Sequence, residues 1–421
     1  MIKKEILKNG TRVILIPNNS TGVISAMVMF GVGSRYENDK IAGISHLLEH
    51  MHYKGTGKRA TAIDVAEFIE SIGGEHNAFT SKEYTGYYVK VASRHLEKSY
   101  DFLSDILLNS RFQADELERE KSVVVEEIKM YEDSPMDMVG SKFEESLFGN
   151  NALGRDVIGF RESVLATTRG NLVDFRSRYY TGPNTVIVLS GNFNGLSDNE
   201  LLALTEKYFT FSSSLTPDAL PVTPQCERLH LVEKPTEQSH LVIGFQGAPF
   251  AHPDRYKLKI LAVILGGSMS SRMFEEIREK RGLAYAVRCT TSSYSDAGTI
   301  ETQVGVPHAK VIEAVKAVMN EYGKIRKEEV GERELRKAKE IIYGKLLISF
   351  EDSLDVASHH AISETLAGQS FTPEELMAIY EKITAQDILE VANKYFVSDR
   401  LSLAYIGPGV SREDTEKALT L

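Results

Sequence analysis

Two histidines and a glutamate lie within five residues, with types and spacing that would bind a metal ion and move a proton. Residues 46–50 read H-L-L-E-H. On a helix, positions four apart share a face, so His46 and His50 would present two imidazoles to one ion. Glu49 lies beside that face, where its carboxylate would reach a metal-held water without being a ligand itself. A surface helix carrying two solvated histidines is the alternative interpretation.

A catalytic zinc site needs a third protein ligand and keeps a fourth position open for water. The predicted helix over residues 114–131 is rich in glutamate. Glu120 and Glu127 are seven positions apart, two helical turns, and therefore share a face. A carboxylate pair on a partly buried face is costly unless it is paired or bound to a metal. A solvated acidic helix is the alternative here.

Composition limits the class of protein. The 421 residues suggest two or more domains, and 42% hydrophobic with 26% charged residues is typical of a soluble globular protein. No run approaches the roughly 18 apolar residues of a membrane span, and the N-terminus lacks a signal-peptide pattern. Cys226 and Cys289 have no C-x-x-C partner, so we expect a reducing, cytoplasmic location and a metal site built from histidine and carboxylate. The net charge of −10 argues against nucleic acid as a partner.

The order of predicted elements repeats once along the chain. Strands over 11–17 and 23–30 precede helices over 43–53 and 60–72, a strand over 84–91, helices over 95–108 and 114–131, and a strand over 184–189. A strand over 240–245, helices over 256–265 and 272–279, and strands over 284–291 and 299–306 follow the proline-rich segment 212–225. We therefore predict an α+β fold of two duplicated domains, residues 1–211 and 226–421, joined by a linker over 212–225. Each domain is predicted to be a mostly antiparallel sheet packed with helices.

Four segments together resemble one peptidase family. Residues 46–56 read H-L-L-E-H-M-H-Y-K-G-T, 73–80 read G-G-E-H-N-A-F-T, 120–128 read E-K-S-V-V-V-E-E-I, and 278–285 read R-E-K-R-G-L-A-Y. The chain is similar to the zinc metallopeptidases with an inverted H-x-x-E-H motif, of the pitrilysin, insulysin and mitochondrial processing peptidase type. This resemblance implies an inverzincin zinc endopeptidase with the length of one half of a clamshell peptidase.

The resemblance implies a role for each matched residue around one Zn²⁺ per subunit. Zinc would be bound by His46, His50 and Glu127, with Glu49 as general base and Glu120 orienting a ligand. Because two glutamates are adjacent, Glu126 remains the alternative third ligand. His52 and His76 are interpreted as structural or solvated residues, since His52 lies about 200° round the helix from His50.

The resemblance also implies where the substrate lies. Arg278 and Tyr285 match residues that contact the substrate and the developing oxyanion, and Asn77 and Ala78 match an edge strand that adds the substrate backbone. Because this chain has the length of one half, we expect a homodimer in which Arg278 and Tyr285 complete the partner's zinc site, or a heterodimer with a paralogue. A closed chamber would admit peptides or unfolded segments, with basic peptides favoured by the net charge.

The sequence is compatible with three functions. The complete H-x-x-E-H set favours an active zinc endopeptidase. A non-catalytic or regulatory subunit of a heterodimeric processing peptidase is the second, although such partners typically lose a ligand or the base. A metal-binding or redox protein of another class is the third, and no redox-competent ligand set accompanies the motif.

Overall fold

The computed structural model describes residues 2–215, 218–219 and 226–421, so part of the predicted linker (216–217 and 220–225) lies outside the described residues. Within this part of the chain, eleven strands form two sheets. The strands are β1 Lys3–Ile6, β2 Arg12–Pro17, β3 Val23–Phe30, β4 Glu75–Thr80, β5 Thr85–Ala92, β6 Thr185–Gly191, β7 Leu229–Glu233, β8 Ser239–Gln246, β9 Val287–Ser293, β10 Gly298–Val306 and β11 Leu401–Gly407.

Fifteen α-helices are present in the described residues, together with short 3₁₀ turns and a π-helical turn over Phe274–Lys280. The α-helices are α1 Ile44–Met51, α2 Ala62–Glu70, α3 Leu96–Asn109, α4 Ala114–Glu132, α5 Pro135–Phe148, α6 Arg161–Ala166, α7 Arg169–Tyr179, α8 Asp198–Tyr208, α9 Asp254–Gly266, α10 Val311–Ile325, α11 Glu332–Ser349, α12 Ser353–Ala367, α13 Pro373–Glu381, α14 Ala385–Tyr395 and α15 Arg412–Ala418. Across the described residues, no helix has both the length and the apolar content needed to cross a bilayer.

The first compact unit comprises Met1–Ile128, Asp156–Pro221 and Ile348–Ser370. Its sheet has the order β1-β2-β6-β3-β5-β4, in which the β2–β6 pair is parallel and the others are antiparallel. The central strands β3 and β6 are apolar runs buried on both faces. The main helical core covers one face, while Ala357 and Ala361 of α12 pack against Met27 and Met29 on the other.

The second compact unit comprises Lys129–Arg155, Val222–Leu347 and Phe371–Leu421. Its sheet order, β7-β11-β8-β10-β9, repeats the β2-β6-β3-β5-β4 order of the first unit, including the parallel first pair. Helix α5 covers one face, where Val139 and Phe143 join a cluster with Val242 and Ile406. This repetition confirms the predicted α+β class with two duplicated, mostly antiparallel domains.

The two units differ from the predicted domains 1–211 and 226–421 by one exchanged segment each. Residues 129–155, which include α5, belong to the second unit, and residues 348–370, which include α12, belong to the first. A hydrophobic pattern identifies a helix and its apolar face, but it does not say which sheet that face will cover.

Candidate active site

Helix α1 presents its chemistry-bearing residues on one half-buried face. Its opposite face is apolar and buried, which orients the helix in the first unit through Ile44, Leu47, Leu48 and Met51. His46, Glu49 and His50 are thereby left half-buried on the other side. The helix follows Gly43, whose φ is +87°, and a Cβ there would lie 2.3 Å from the Ile158 carbonyl oxygen. Glycine is therefore required at this entry into the helix.

A distant carboxylate caps the start of α1. Gly43 has no side chain to cap the first turn, so the orphan N–H groups need another acceptor. Glu37, which is fully buried, accepts hydrogen bonds from the Gly43 N–H at 2.7 Å and the Ser45 N–H at 2.8 Å. Sequence reasoning missed this residue, because helix-capping signals are sought at the helix boundary itself.

Three predicted ligands come together between α1 and α4. Glu127 Oε1 lies 3.8 Å from His46 Nε2, and Glu127 Oε2 lies 3.9 Å from His50 Nε2. Within the residues that the structure describes, this is the only group of three or more possible ligands with mutual distances inside 4.8 Å. Glu126, the alternative third ligand, is an exposed residue outside this group.

The distances and the donor types fit a zinc ion. Separations of 3.8–3.9 Å are too long for hydrogen bonds. Two atoms each about 2.1 Å from one tetrahedral ion lie about 3.4 Å apart, which is close to the observed spacing. Two imidazoles and one carboxylate form a donor set typical of catalytic zinc, with a fourth position left for water.

Glu120 orients one of the histidines and is itself held by a lysine. Its Oε1 lies 2.8 Å from His50 Nδ1, and its Oε2 accepts from Lys54 Nζ at 2.7 Å. Donation from Nδ1–H to a carboxylate leaves the Nε2 lone pair directed at the ligand group. Lys54 lies four residues after His50 and was not singled out from the sequence, although it belongs to the quoted K-G-T segment.

The electrostatics of this group favour a cation. Burial, with a contribution from His50, lowers the pKa of His46 to about 4, so the ring is uncharged at neutral pH as a ligand must be. Burial raises the pKa of Glu127 above its usual value. Burial acts to lower the pKa of His50, but the hydrogen bond and charge of Glu120 outweigh it and raise that pKa. A divalent ion would offset the negative charge of the carboxylates grouped here.

Glu49 lies next to the ligands in sequence but outside their group. The Thr80 hydroxyl donates a hydrogen bond to Glu49 Oε2. Burial raises the pKa of Glu49, and the Thr80 hydrogen bond opposes that rise. A carboxylate beside a metal site that is not itself a ligand has the position required of a general base.

Asn77 and Ala78 lie on a sheet edge, in strand β4. The strand pairs with β5 on one side through Asn77↔Tyr88 and Ala78↔Tyr87, and it ends the sheet order on the other. The Ala78 N–H donates to Asn77 Oδ1 at 2.9 Å. An edge strand of this kind is where an extended peptide adds to a sheet.

The two further histidines near the motif lie outside the ligand group. His52 is fully buried, and its Nδ1 lies 2.9 Å from the Tyr87 hydroxyl. His76 is half-buried, with its ring centroid 5.1 Å from that of Phe102. Both residues therefore take part in packing.

Arg278 and Tyr285 are neighbours in the second unit. Arg278 lies in the π-helical turn, with its Cζ 4.8 Å from the centroid of the Tyr285 ring. Tyr285 is 80% exposed, so it is not a core residue. Stacking on the guanidinium holds the exposed phenol near a positive charge.

Comparison with known proteins identifies the family. Residues 12–160 match the model described as Insulinase (Peptidase family M16), and residues 166–342 match Peptidase M16 inactive domain. An uncharacterized zinc protease of Bacillus subtilis, YmxG, is 35% identical over 97% of this chain and 98% of its own length. An uncharacterized zinc protease of Rickettsia felis is 34% identical over 96% of each chain.

A solved structure agrees over nearly the same length. The crystal structure of a protease from Helicobacter pylori superposes with a TM-score of 0.87 and 26% identity, over 97% of this chain and 99% of that one. The two family models match in chain order, and the similarity to the bacterial zinc proteases extends over almost the whole sequence. The chain therefore belongs to peptidase family M16, the insulinase family.

Proposed function

We propose that this protein is a zinc-dependent endopeptidase that hydrolyses peptides or unfolded segments. The observation that carries the proposal is the position of Glu49, adjacent in α1 to a group formed by His46, His50 and Glu127. Because membership of family M16 and the names of the relatives concern peptidases, the chemistry of the site and the family agree.

Each residue of the site has a distinct task in peptide hydrolysis. His46, His50 and Glu127 would hold the ion, which when bound lowers the pKa of its water toward 7 and polarises the scissile carbonyl. Glu49 accepts the proton of the attacking water and passes it to the leaving amine. Glu120 keeps His50 in the tautomer that leaves Nε2 free to bind.

Strand β4 is proposed to bind the substrate backbone. An extended peptide added to this edge would run past the α1 residues, because Thr80 at the end of β4 already contacts Glu49. Recognition through main-chain groups suits peptides and unfolded segments, since a folded protein seldom offers a free strand.

Arg278 and Tyr285 are proposed to complete the site of a second copy of the chain. The exposed Tyr285 hydroxyl would donate to the developing oxyanion, and Arg278 would hold the phenol in place. This predicts a two-fold homodimer enclosing the site, with a heterodimer as the other arrangement.

A non-catalytic subunit is the second candidate, because residues 166–342 match a domain described as inactive. That match lies outside the segments holding His46, Glu49, His50 and Glu127, all of which fall within the matched insulinase segment. The complete set of ligands and base therefore favours an active enzyme.

Chelation tests the proposed function directly. We expect the purified protein to cleave internally quenched peptides, to lose at least about 95% of that activity after treatment with a chelator, and to recover it with stoichiometric Zn²⁺. Activity should be lost because the ion is needed to activate the attacking water and to polarise the scissile carbonyl. Cleavage that survives complete metal removal, or no cleavage of a diverse peptide pool by the zinc-loaded protein, would refute the proposal.

The third ligand is tested by a matched pair of variants. Glu127→Gln is expected to lower zinc retention after dialysis by about 10- to 100-fold, because it removes one of three protein ligands. Glu126→Gln makes the same chemical change one residue earlier, at an exposed position outside the group, and should retain wild-type zinc. Metal content is measured by inductively coupled plasma mass spectrometry. The opposite ranking would identify Glu126 as the ligand.

A further inference from the structure

We infer that Thr80 is a positioning residue that fixes the orientation of the Glu49 carboxylate. The inference rests on the proposed function, in which Glu49 is the general base. Thr80 is the last residue of β4, and its hydroxyl donates to Glu49 Oε2. This hydrogen bond uses one lone pair of Oε2 and lowers the basicity of that oxygen, which makes the other oxygen, Oε1, the better acceptor for the proton from water.

The backbone that carries Thr80 is held from two sides. Thr80 pairs with Thr85 across the β4–β5 hairpin, and the turn is closed by the Ser81 N–H donating to the Tyr84 carbonyl at 2.8 Å. From the outside, the Arg35 N–H donates to the Lys82 carbonyl at 2.8 Å. These main-chain contacts hold the backbone from which the Thr80 hydroxyl extends.

A short segment, residues 33–37, makes contacts with both this turn and helix α1. Arg35 forms a buried ion pair with Glu83 in the turn, at 2.6 Å. Two residues later, Glu37 accepts from the first N–H groups of α1, at Gly43 and Ser45. One segment thus contacts both the turn after β4, through Arg35, and the start of α1, through Glu37, and so links the two elements that carry Thr80 and Glu49.

The hydrogen bond from Thr80 matters for the reaction because it orients the Glu49 carboxylate. A glutamate side chain has three rotatable bonds, and a half-buried carboxylate without a donor would rotate toward other partners. A misplacement of about 1 Å of a catalytic group costs on the order of 100-fold in rate. Loss of the hydroxyl should therefore lower kcat while substrate binding and the metal ligands stay unchanged.

Valine and serine at this position separate positioning from packing. Thr80→Val keeps the shape and removes the hydroxyl, and we expect kcat to fall about 10- to 100-fold with KM within threefold and zinc content unchanged. Thr80→Ser keeps the hydroxyl and should restore kcat to within about threefold of wild type. Thr85→Val is the matched control, since it removes the same atom from the facing strand, where the hydroxyl donates to Val32 O at 2.8 Å and does not touch Glu49.

Thermal unfolding provides a second readout that does not need activity. Thr80→Val should lower Tm by a few degrees when Glu49 is present, because the half-buried carboxylate loses its donor, and should change Tm little in a Glu49→Ala background. Additive Tm effects, a fall confined to KM, or Thr80→Ser as slow as Thr80→Val would overturn the inference. A wild-type protein that cleaves no peptide would instead overturn the proposed function, while the unfolding cycle would still measure the contact.

Discussion

Replacing Glu49 by glutamine is expected to lower kcat about 10²- to 10⁴-fold while the zinc content stays at the wild-type value. The amide has the shape of the carboxylate and still accepts the Thr80 hydrogen bond, so the fold and the contact are kept. It cannot take a proton from water at neutral pH. Because Glu49 lies outside the ligand group, the ion should be retained.

The measurement pairs steady-state cleavage of a quenched peptide with metal analysis of the same samples. Glu126→Gln is the control, because it removes an exposed carboxylate close to the site without touching the ligand group. If Glu49→Gln loses its zinc together with its activity, Glu49 is a ligand and the assignment of the base is wrong. If it keeps more than about a tenth of wild-type kcat, another group is the base.

The local part of the site was accessible from the sequence because it depends on helical geometry alone. The four-residue spacing of His46 and His50 places both rings on one face of α1 whatever surrounds the helix. The seven-residue spacing of Glu120 and Glu127 does the same for α4. The choice between Glu126 and Glu127 depends on how α4 is rotated against α1, and that rotation is set by packing.

Contacts between distant segments were not accessible in the same way. Glu37 caps a helix that begins seven residues later, and Thr80 reaches Glu49 across 31 positions in the sequence. Thr80 ends the quoted G-G-E-H-N-A-F-T segment, but its contact with Glu49 cannot be read from that spacing, and Glu37 belongs to none of the four quoted segments. The exchange of α5 and α12 between the two units has the same origin, because the sheet that a helix covers is decided by contacts with segments far along the chain.

Mixing Glu49→Gln and Tyr285→Phe subunits is expected to restore about one quarter of wild-type activity, although each variant alone is nearly inactive. Loss of one oxyanion donor lowers kcat about 10²- to 10³-fold, so Tyr285→Phe subunits alone should contribute little activity to the mixture. If Tyr285 completes the partner's site, a mixed dimer has one site with both groups intact and one with neither. Random exchange makes about half of the dimers mixed, which leaves about one site in four intact. Activity is measured after subunit exchange, with dimers verified by light scattering.

A reciprocal mixture separates completion by the partner from completion within one chain. Wild-type subunits are mixed in equal amounts with subunits carrying both Glu49→Gln and Tyr285→Phe. If the partner supplies Tyr285, each mixed dimer has no intact site, and activity per wild-type chain falls to about one half. If each chain uses its own Tyr285, activity per wild-type chain is unchanged, and the first mixture stays inactive. The two mixtures therefore give opposite results for the two arrangements.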